Sequence, residues 1–209
     1  MCIRDRYKIR EDFPILGKKV NNTDLIYFDN AATSQTPNQV IDVISSYYKE
    51  NNSNIHRGLH SLSADATNKY ENSRSIIKNH FGAAHEHEII FTSGTTHGIN
   101  IVSSGLEKFI SSKDELIVSE MEHHSNIVPW QMLCEKTGSK LKVIPINDDG
   151  TLDMDEYKSL LTNQVKFVFI NHVSNTLGIV NPIKEIVDLA HKNKSKVLID
   201  GAQGAAHFK

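Results

Sequence analysis

Six short apolar runs alternate along this chain with stretches of helical period, and that alternation narrows its possible folds more than any other feature. Leu25–Phe28, Glu88–Thr92, Glu115–Ser119, Leu141–Ile146, Lys166–Asn171 and Lys196–Asp200 read as strands. The intervals between them leave room for helices of about ten or more residues, so successive strands are expected to join by βαβ crossovers. The expected architecture is α/β: a mostly parallel sheet with helices on both faces.

The helical stretches carry their own punctuation. Thr36-Pro37-Asn38-Gln39 reads as a helix start, with Thr36 as the N-cap, Pro37 at the first helical position and Gln39 closing a capping box. Val40, Ile41, Ile44, Tyr47 and Tyr48 follow at helical spacing. Leu62, Ala66, Tyr70, Ile77 and Phe81 mark a second face that stops at Gly82, and Ile99, Val102, Leu106, Phe109 and Ile110 mark a third. Residues 126–137 read as a helix up to Gly138. Pro145 places the Leu141–Ile146 run at a sheet edge or a strand terminus. Asp153 with Glu156 forms a capping box, with Leu152 and Tyr157 as its hydrophobic staple, and Asn181-Pro182 opens the last helix.

Composition sets the class. At 209 residues and 39% hydrophobic, the chain has enough apolar material for a sizeable core, which excludes wholesale disorder. A net charge of −2 gives no general attraction to nucleic acid or to an anionic membrane. Two cysteines, Cys2 and Cys134, make no disulfide framework and suit a reducing, cytoplasmic setting. No stretch approaches the roughly 18–20 consecutive apolar residues of a membrane span. The charged N-terminus has no apolar run behind it, so it does not read as a signal peptide. Its first six residues read unlike the rest of the chain and are set aside. The organisation expected is an N-terminal segment over 1–24 and an α/β domain over 25–209.

In parallel α/β sheets, ligands bind beyond the carboxyl ends of the strands. After Phe91-Thr92 comes Ser93-Gly94-Thr95-Thr96-His97-Gly98. Gly94 permits close backbone approach, and free N–H groups with two hydroxyls at a helix start suit a phosphate, or serve as plain capping. No lysine follows at the spacing of a Walker loop, and the segment is not GxGxxG. After Val118-Ser119 come Glu120-Met-Glu122-His123-His124. Adjacent histidines point apart and no spaced ligand set completes them, so no metal is expected. One imidazole can serve as an acid/base, as a flat stacking partner, or as a surface residue. Asn175 follows the next strand, where its amide contacts a ligand oxygen or stabilises a turn. Asp200 ends an apolar strand, with Gln203 close behind. A carboxylate there needs a partner, such as a cationic heterocycle nitrogen, or else caps the next turn. His56-Arg57-Gly58-Leu59-His60 reads as a loop, His85 and His87 as solvated, and Cys134 as a small core residue. A phosphate cradle, a stacking imidazole, an amide and a carboxylate together fit a phosphorylated cationic aromatic cofactor, and pyridoxal phosphate is one.

Six segments then fall in order: Phe28-Asp-Asn-Ala31-Ala32-Thr, His56-Arg57-Gly-Leu-His60-Ser-Leu-Ser63, Thr92-Ser-Gly-Thr95-Thr96-His-Gly-Ile-Asn100, Met121-Glu-His123-His124-Ser-Asn-Ile-Val-Pro-Trp130-Gln, His172-Val-Ser-Asn175 and Asp200-Gly-Ala-Gln203. From about Ile9 onward the chain resembles the SufS-type cysteine desulfurases, the group II branch of the class V aminotransferases. The His56 and Met121 segments separate it from the NifS/IscS branch.

The resemblance implies the large domain of fold type I of the pyridoxal-phosphate-dependent transferases, truncated here, and a homodimer when full length. It implies conversion of L-cysteine, or L-selenocysteine, to alanine, with sulfur left as a persulfide on an enzyme cysteine for a sulfur-acceptor protein of iron–sulfur cluster assembly. Neither nucleic acid nor membrane is implied as a partner. Carried onto these residues, it implies that Thr95 and Thr96 hold the phosphate. His123 stacks on the ring and helps to move protons. Asn175 and Gln203 face the phenolic oxygen, and Asp200 pairs with the pyridinium nitrogen. Ala31, Ala32, His56 and Arg57 are expected near the substrate. His97 stands where many relatives carry an acidic residue.

Two family parts have no counterpart here. The Schiff-base lysine belongs to a Ser-Gly-His-Lys motif beyond Asp200, and the persulfide cysteine lies later, toward a small C-terminal domain. Lys209, Cys2 and Cys134 match neither. The expectation is an N-terminal fragment without turnover of its own. Two other readings are a non-catalytic α/β domain that binds a phosphorylated ligand or a partner, and a nicotinamide-dependent oxidoreductase. The first leaves Asp200 and Gln203 without a purpose, and the second lacks its glycine-rich fingerprint.

Overall fold

A computed structural model describes residues 3–208. Cys2 and Lys209, weighed above as catalytic groups, lie outside them. The chain divides into two compact units, Met1–Ile89 and Ile90–Lys209.

The first unit holds α1 (Ile3–Glu11), the short strands β1 (Lys19–Val20) and β2 (Thr23–Asp24), α2 (Asn38–Ser46) and α3 (Ser61–Phe81). β1 and β2 form an antiparallel hairpin, Lys19 opposite Asp24. Its two turn residues, Asn21 and Asn22, have φ of 52° and 63°, the left-handed pair that twist-matched two-residue hairpins require. The strand expected at Leu25–Phe28 does not form. The hairpin ladder closes with a bond from the Leu25 N–H to the Lys18 carbonyl at 3.1 Å, no strand pairs with the rest of the run among the described residues, and Ile26 and Phe28 stand 75% and 93% exposed. An apolar run becomes a strand only where a neighbour offers its backbone.

The helix expected with Thr36 as its N-cap and Pro37 as its first residue starts one residue later, at Asn38. Pro37 is its N-cap, in extended conformation and without a side-chain cap, while the Asn38 N–H donates to the Asp12 carbonyl at 2.7 Å. A π-helical turn over Tyr47–Asn51 extends it. α3 ends where expected. Gly82 takes φ 67°, and the Ala83 N–H closes on the Lys78 carbonyl at 3.0 Å, a Schellman stop.

The second unit holds α4 (Thr95–Leu106), β3 (Glu115–Ser119), α5 (Val128–Thr137), β4 (Lys140–Ile144), α6 (Met154–Leu160), β5 (Val165–Asn171), α7 (Ile183–Lys192) and β6 (Lys196–Asp200). The sheet runs β4-β3-β5-β6, every pair parallel. β4 is an edge strand and Pro145 follows it, as its proline implied. Alternate residues point to opposite faces. Leu116, Val118 and Phe169 meet Ile99, Trp130 and Leu133 of α4 and α5. Ile117, Val168 and Ile170 meet Tyr157, Ile186 and Ala190 of α6 and α7. Trp130 stacks on Phe169, ring centroids 3.6 Å apart and 9° from parallel.

The capping box is half realised as expected. Asp153 accepts from the backbone N–H of Asp155 and of Glu156, at 3.1 and 2.9 Å, and Leu152 and Tyr157 share one core cluster. The strand expected at Glu88–Thr92 is irregular chain after a 3-10 turn, with Ile90 71% exposed and no ladder beside it among the described residues.

Candidate functional site

The carboxyl ends of β3, β5 and β6 carry Ser119, Asn171 and Asp200, and the parallel register sets Asn171 beside Asp200. Asp200 is 6% exposed. Its Oδ1 accepts from the Ala202 N–H at 2.9 Å, so it caps the turn over 202–207, as its local reading allowed. Its backbone carbonyl accepts from the His172 N–H at 2.9 Å, which ties the β6 end to β5. Among the described residues no cation pairs with this carboxylate. Gln203 stands half-buried in the same turn, and Asn175 lies exposed in a turn after β5, where its Nδ2 donates to Thr176 Oγ1 at 3.2 Å.

His123 follows β3 and is the N-cap of the 3-10 turn His124–Asn126. Its Nδ1 accepts from the Ser125 N–H at 3.2 Å and sits 2.8 Å from Ser125 Oγ. An acceptor Nδ1 leaves the proton on Nε2. The ring is exposed and stands edge-on to His124, so one donor and a flat face are available to a ligand.

Thr95 and Thr96 open the 12-residue α4 and are exposed. Gly94 precedes them at φ 104°, a conformation that side chains disfavour. The first-turn N–H groups of a helix have no intrahelical partner, so two hydroxyls and these donors make an anion cradle. His97 takes one nearby donor: its Nδ1 accepts the Ser93 N–H at 3.1 Å. The imidazole at the third helical position thus reaches back as a capping-box side chain does, but to the N–H of the residue before the N-cap Gly94. α4 packs against α5 and against the turn after His123.

Ala31, Ala32, His56 and Arg57 belong to the first unit, and all four are exposed. His56 takes φ 59°, its N–H donates to Thr67 Oγ1 at 3.0 Å and its Nε2 lies 3.1 Å from Glu71. The fold therefore gathers Thr95, Thr96, His123, Asn175, Asp200 and Gln203 into the loops and helix starts of one α/β unit. Cys134, expected in the core, is 8% exposed, and burial pushes its thiol up.

Sequence reasoning missed Glu122. In the sequence it is only one of the carboxylates beside two histidines and received no role, yet it is 8% exposed. Ser119 Oγ and the Asn171 N–H donate to its Oε1 at 2.5 and 2.9 Å, and Asn126 Nδ2 donates to Oε2 at 2.7 Å. Asn126 Oδ1 in turn accepts from Trp130 Nε1 at 3.0 Å. Burial first, with the charge of Asp200 adding to it, pushes the Glu122 carboxyl up to about 7 against these donors. The usable signal was the four-residue spacing of Glu122, Asn126 and Trp130.

The family profile described as aminotransferase class-V matches residues 26–209. A cysteine desulfurase of Synechococcus elongatus is 46% identical over 205 residues, 98% of this chain and 33% of that protein. One of Shigella sonnei is 46% identical over 201 residues, 96% of this chain and 50% of that protein. Among solved structures, the apo cysteine desulfurase of Thermococcus onnurineus NA1 superposes with a TM-score of 0.90 at 37% identity, over 99% of this chain and 49% of that one. The chain spans half or less of the length of these relatives. With the profile running through the whole parallel-sheet unit, its strand-end residues and most of the first unit, the chain belongs to the class-V aminotransferase family.

Proposed function

We propose that residues 25–209 form the cofactor-binding part of a cysteine desulfurase of the SufS type, dependent on pyridoxal phosphate. The observation that carries this reading is Asp200: a buried carboxylate at the end of the apolar strand β6, with no cation beside it among the described residues. A phosphate binder has no use for that charge, whereas a pyridinium nitrogen matches it. The residues present fit the rest of the group. The α4 start offers anion donors, His123 offers a face and a donor, and Asn175 and Gln203 lie in turns after β5 and β6.

Bound here, pyridoxal phosphate supplies an electron sink for bonds broken at the carbons of an amino acid substrate. The chain's own residues orient and protonate. Thr95, Thr96 and the α4 N–H groups hold the phosphate. Asp200 keeps the ring nitrogen protonated, because an adjacent anion favours the charged form. Asn175 and Gln203 donate toward the phenolic oxygen. His123 covers the ring face and carries a proton on Nε2.

The same reading assigns substrate contacts to Ala31, Ala32, His56 and Arg57. L-cysteine or L-selenocysteine is the substrate and a protein of iron–sulfur assembly takes the sulfur, in the cytoplasm, from a homodimer. Cys134 does not serve as the sulfur carrier, since its buried, raised thiol is the wrong state for a nucleophile.

The test is a titration of the 209-residue chain with pyridoxal phosphate, followed by absorbance. A saturable signal is expected that Asp200→Ala abolishes and that pyridoxal without its phosphate reproduces only at concentrations at least tenfold higher. Affinity undiminished by Asp200→Ala identifies a plain anion site and overturns the reading.

A further inference from the structure

We propose that Glu122 is the positioning residue of the strand-end site: its one carboxylate joins the end of β3, the end of β5 and the Asn126–Trp130 pair, and so fixes the backbone on which His123 is carried. The geometry is specific. Oε1 receives both Ser119 Oγ, from the last residue of β3, and the Asn171 N–H, from the last residue of β5. Oε2 receives Asn126 Nδ2, from the turn that His123 caps. Asn126 cannot reverse its amide without losing Trp130, whose indole N–H requires its oxygen.

Asn171 is locked as well. Its Nδ2 donates to the Met121 carbonyl at 3.0 Å and its Oδ1 accepts from Asn181 Nδ2 at 2.6 Å. The segment Met121–Asn126 is therefore anchored on both sides of His123 by buried groups, while His123 itself stays exposed.

A connected buried network of this kind favours one arrangement, because each lost partner leaves a polar group stranded, as Asn181 Oδ1 at its margin is among the described residues. The groups facing the carboxylate are Ser119 from β3, Asn171 from β5, Asn126 from the turn, and the charge of Asp200 from β6. Glu122 thus couples the anchor of His123 to the carboxylate at the neighbouring strand end. It touches neither cofactor nor substrate and acts through what it holds.

The inference rests on reading this end of the sheet as the cofactor site, but its test needs no cofactor. Trp130 is the only tryptophan in the chain and is linked to Glu122 through Asn126. Its emission, recorded on the 209-residue chain from pH 5 to 9, is expected to change in one step with a midpoint near 7. Glu122→Gln is expected to abolish the step, and His123→Gln and His124→Gln to retain it. Asp200→Asn moves the midpoint down by removing a like charge. Ser119→Ala moves it up by removing a donor to the ionised form.

If Glu122→Gln does not fold, the opposite shifts of the last two variants decide. A flat wild-type profile, a step that survives Glu122→Gln, or midpoints that do not separate overturn the proposal. Failure to bind pyridoxal phosphate overturns the site reading instead and leaves the Trp130 titration intact.

Discussion

Gly204 stands so close to the ring of His172 that a Cβ built on it would lie 2.5 Å from Nδ1 and 2.9 Å from Cγ. The turn that follows Asp200 is seated on this ring, and the His172 N–H holds the Asp200 carbonyl from the other side. Gly204→Ala is therefore expected to cost about 1–3 kcal/mol, the range for forcing a methyl into a packed site. Urea unfolding of Gly204→Ala, His172→Ala and the double variant measures it. The double variant should recover part of the loss, since the two positions share one contact. Strict additivity would show that the clash is relieved elsewhere.

Tyr157 ties α6 to α7. The ring is wholly buried and its hydroxyl donates to the Ile186 carbonyl at 3.0 Å. Burial pushes the phenol up, so it remains a donor throughout the accessible pH range. Tyr157→Phe keeps the ring and removes the bond to a carbonyl that lies inside α7 and keeps its helical partner, a loss of about 0.5–1.5 kcal/mol. Thermal unfolding should show a lower midpoint with no pH dependence in the difference. Unchanged stability would mean that Ile186 finds another donor.

The bond from Ser93 N–H to His97 Nδ1 braces the glycine turn in front of Thr95 and Thr96. His97→Ala removes the acceptor and should cost about 0.5–1 kcal/mol, in the range of a lost cap. His97→Glu restores an acceptor at the same helical position and should recover most of it. The proposed site adds a second readout: phosphate-dependent binding weakens in His97→Ala and returns in His97→Glu. A glutamate variant no better than alanine refutes the capping role.

The legibility of each element in the sequence depended on where its burial comes from. The runs at 115–119 and 166–171 were found because both faces of those strands are largely covered, which makes them mostly apolar, and the run at 196–200 was found by its Val-Leu-Ile stretch although it lies at the sheet edge with Ile199 41% exposed. The runs at 25–28 and 88–92 look similar but have no strand paired with them among the described residues, and pairing is not a property of the run itself. The hairpin at 19–24 escaped because two-residue strands carry no apolar pattern, although Asn21-Asn22 was a turn signal. Asp200 stood out because a carboxylate ending an apolar strand is costly. Glu122 did not, because its burial is made by Asn171, about fifty residues on, and its sequence neighbours Glu120, His123 and His124 are all exposed.

Two buried carboxylates give the second unit opposite responses to pH, and the signs separate them. Glu115, 5% exposed, is held below its usual range chiefly by Lys142, 2.7 Å away, with Thr162 Oγ1 donating at 2.8 Å. Its contribution is present above the unfolded pKa and is lost as acid protonates it. Glu122 behaves in reverse. With a folded value of about 7 against 4.5, the native state binds more protons than the unfolded chain throughout that interval. Stability contributed by Glu122 therefore falls as pH rises through the interval, by about 3 kcal/mol in all, and is level above it. The measurement is the unfolding free energy of wild type minus that of Glu122→Gln, from urea curves at pH values between 4 and 9. The difference is expected to decline from pH 5 to about 7 and then flatten, while Lys142→Met leaves that decline in place and removes stability that wild type shows near neutral pH. A difference that runs flat from pH 5 to 8 means that the carboxylate is already ionised at the low end, stabilised by its three donors beyond the cost of burial.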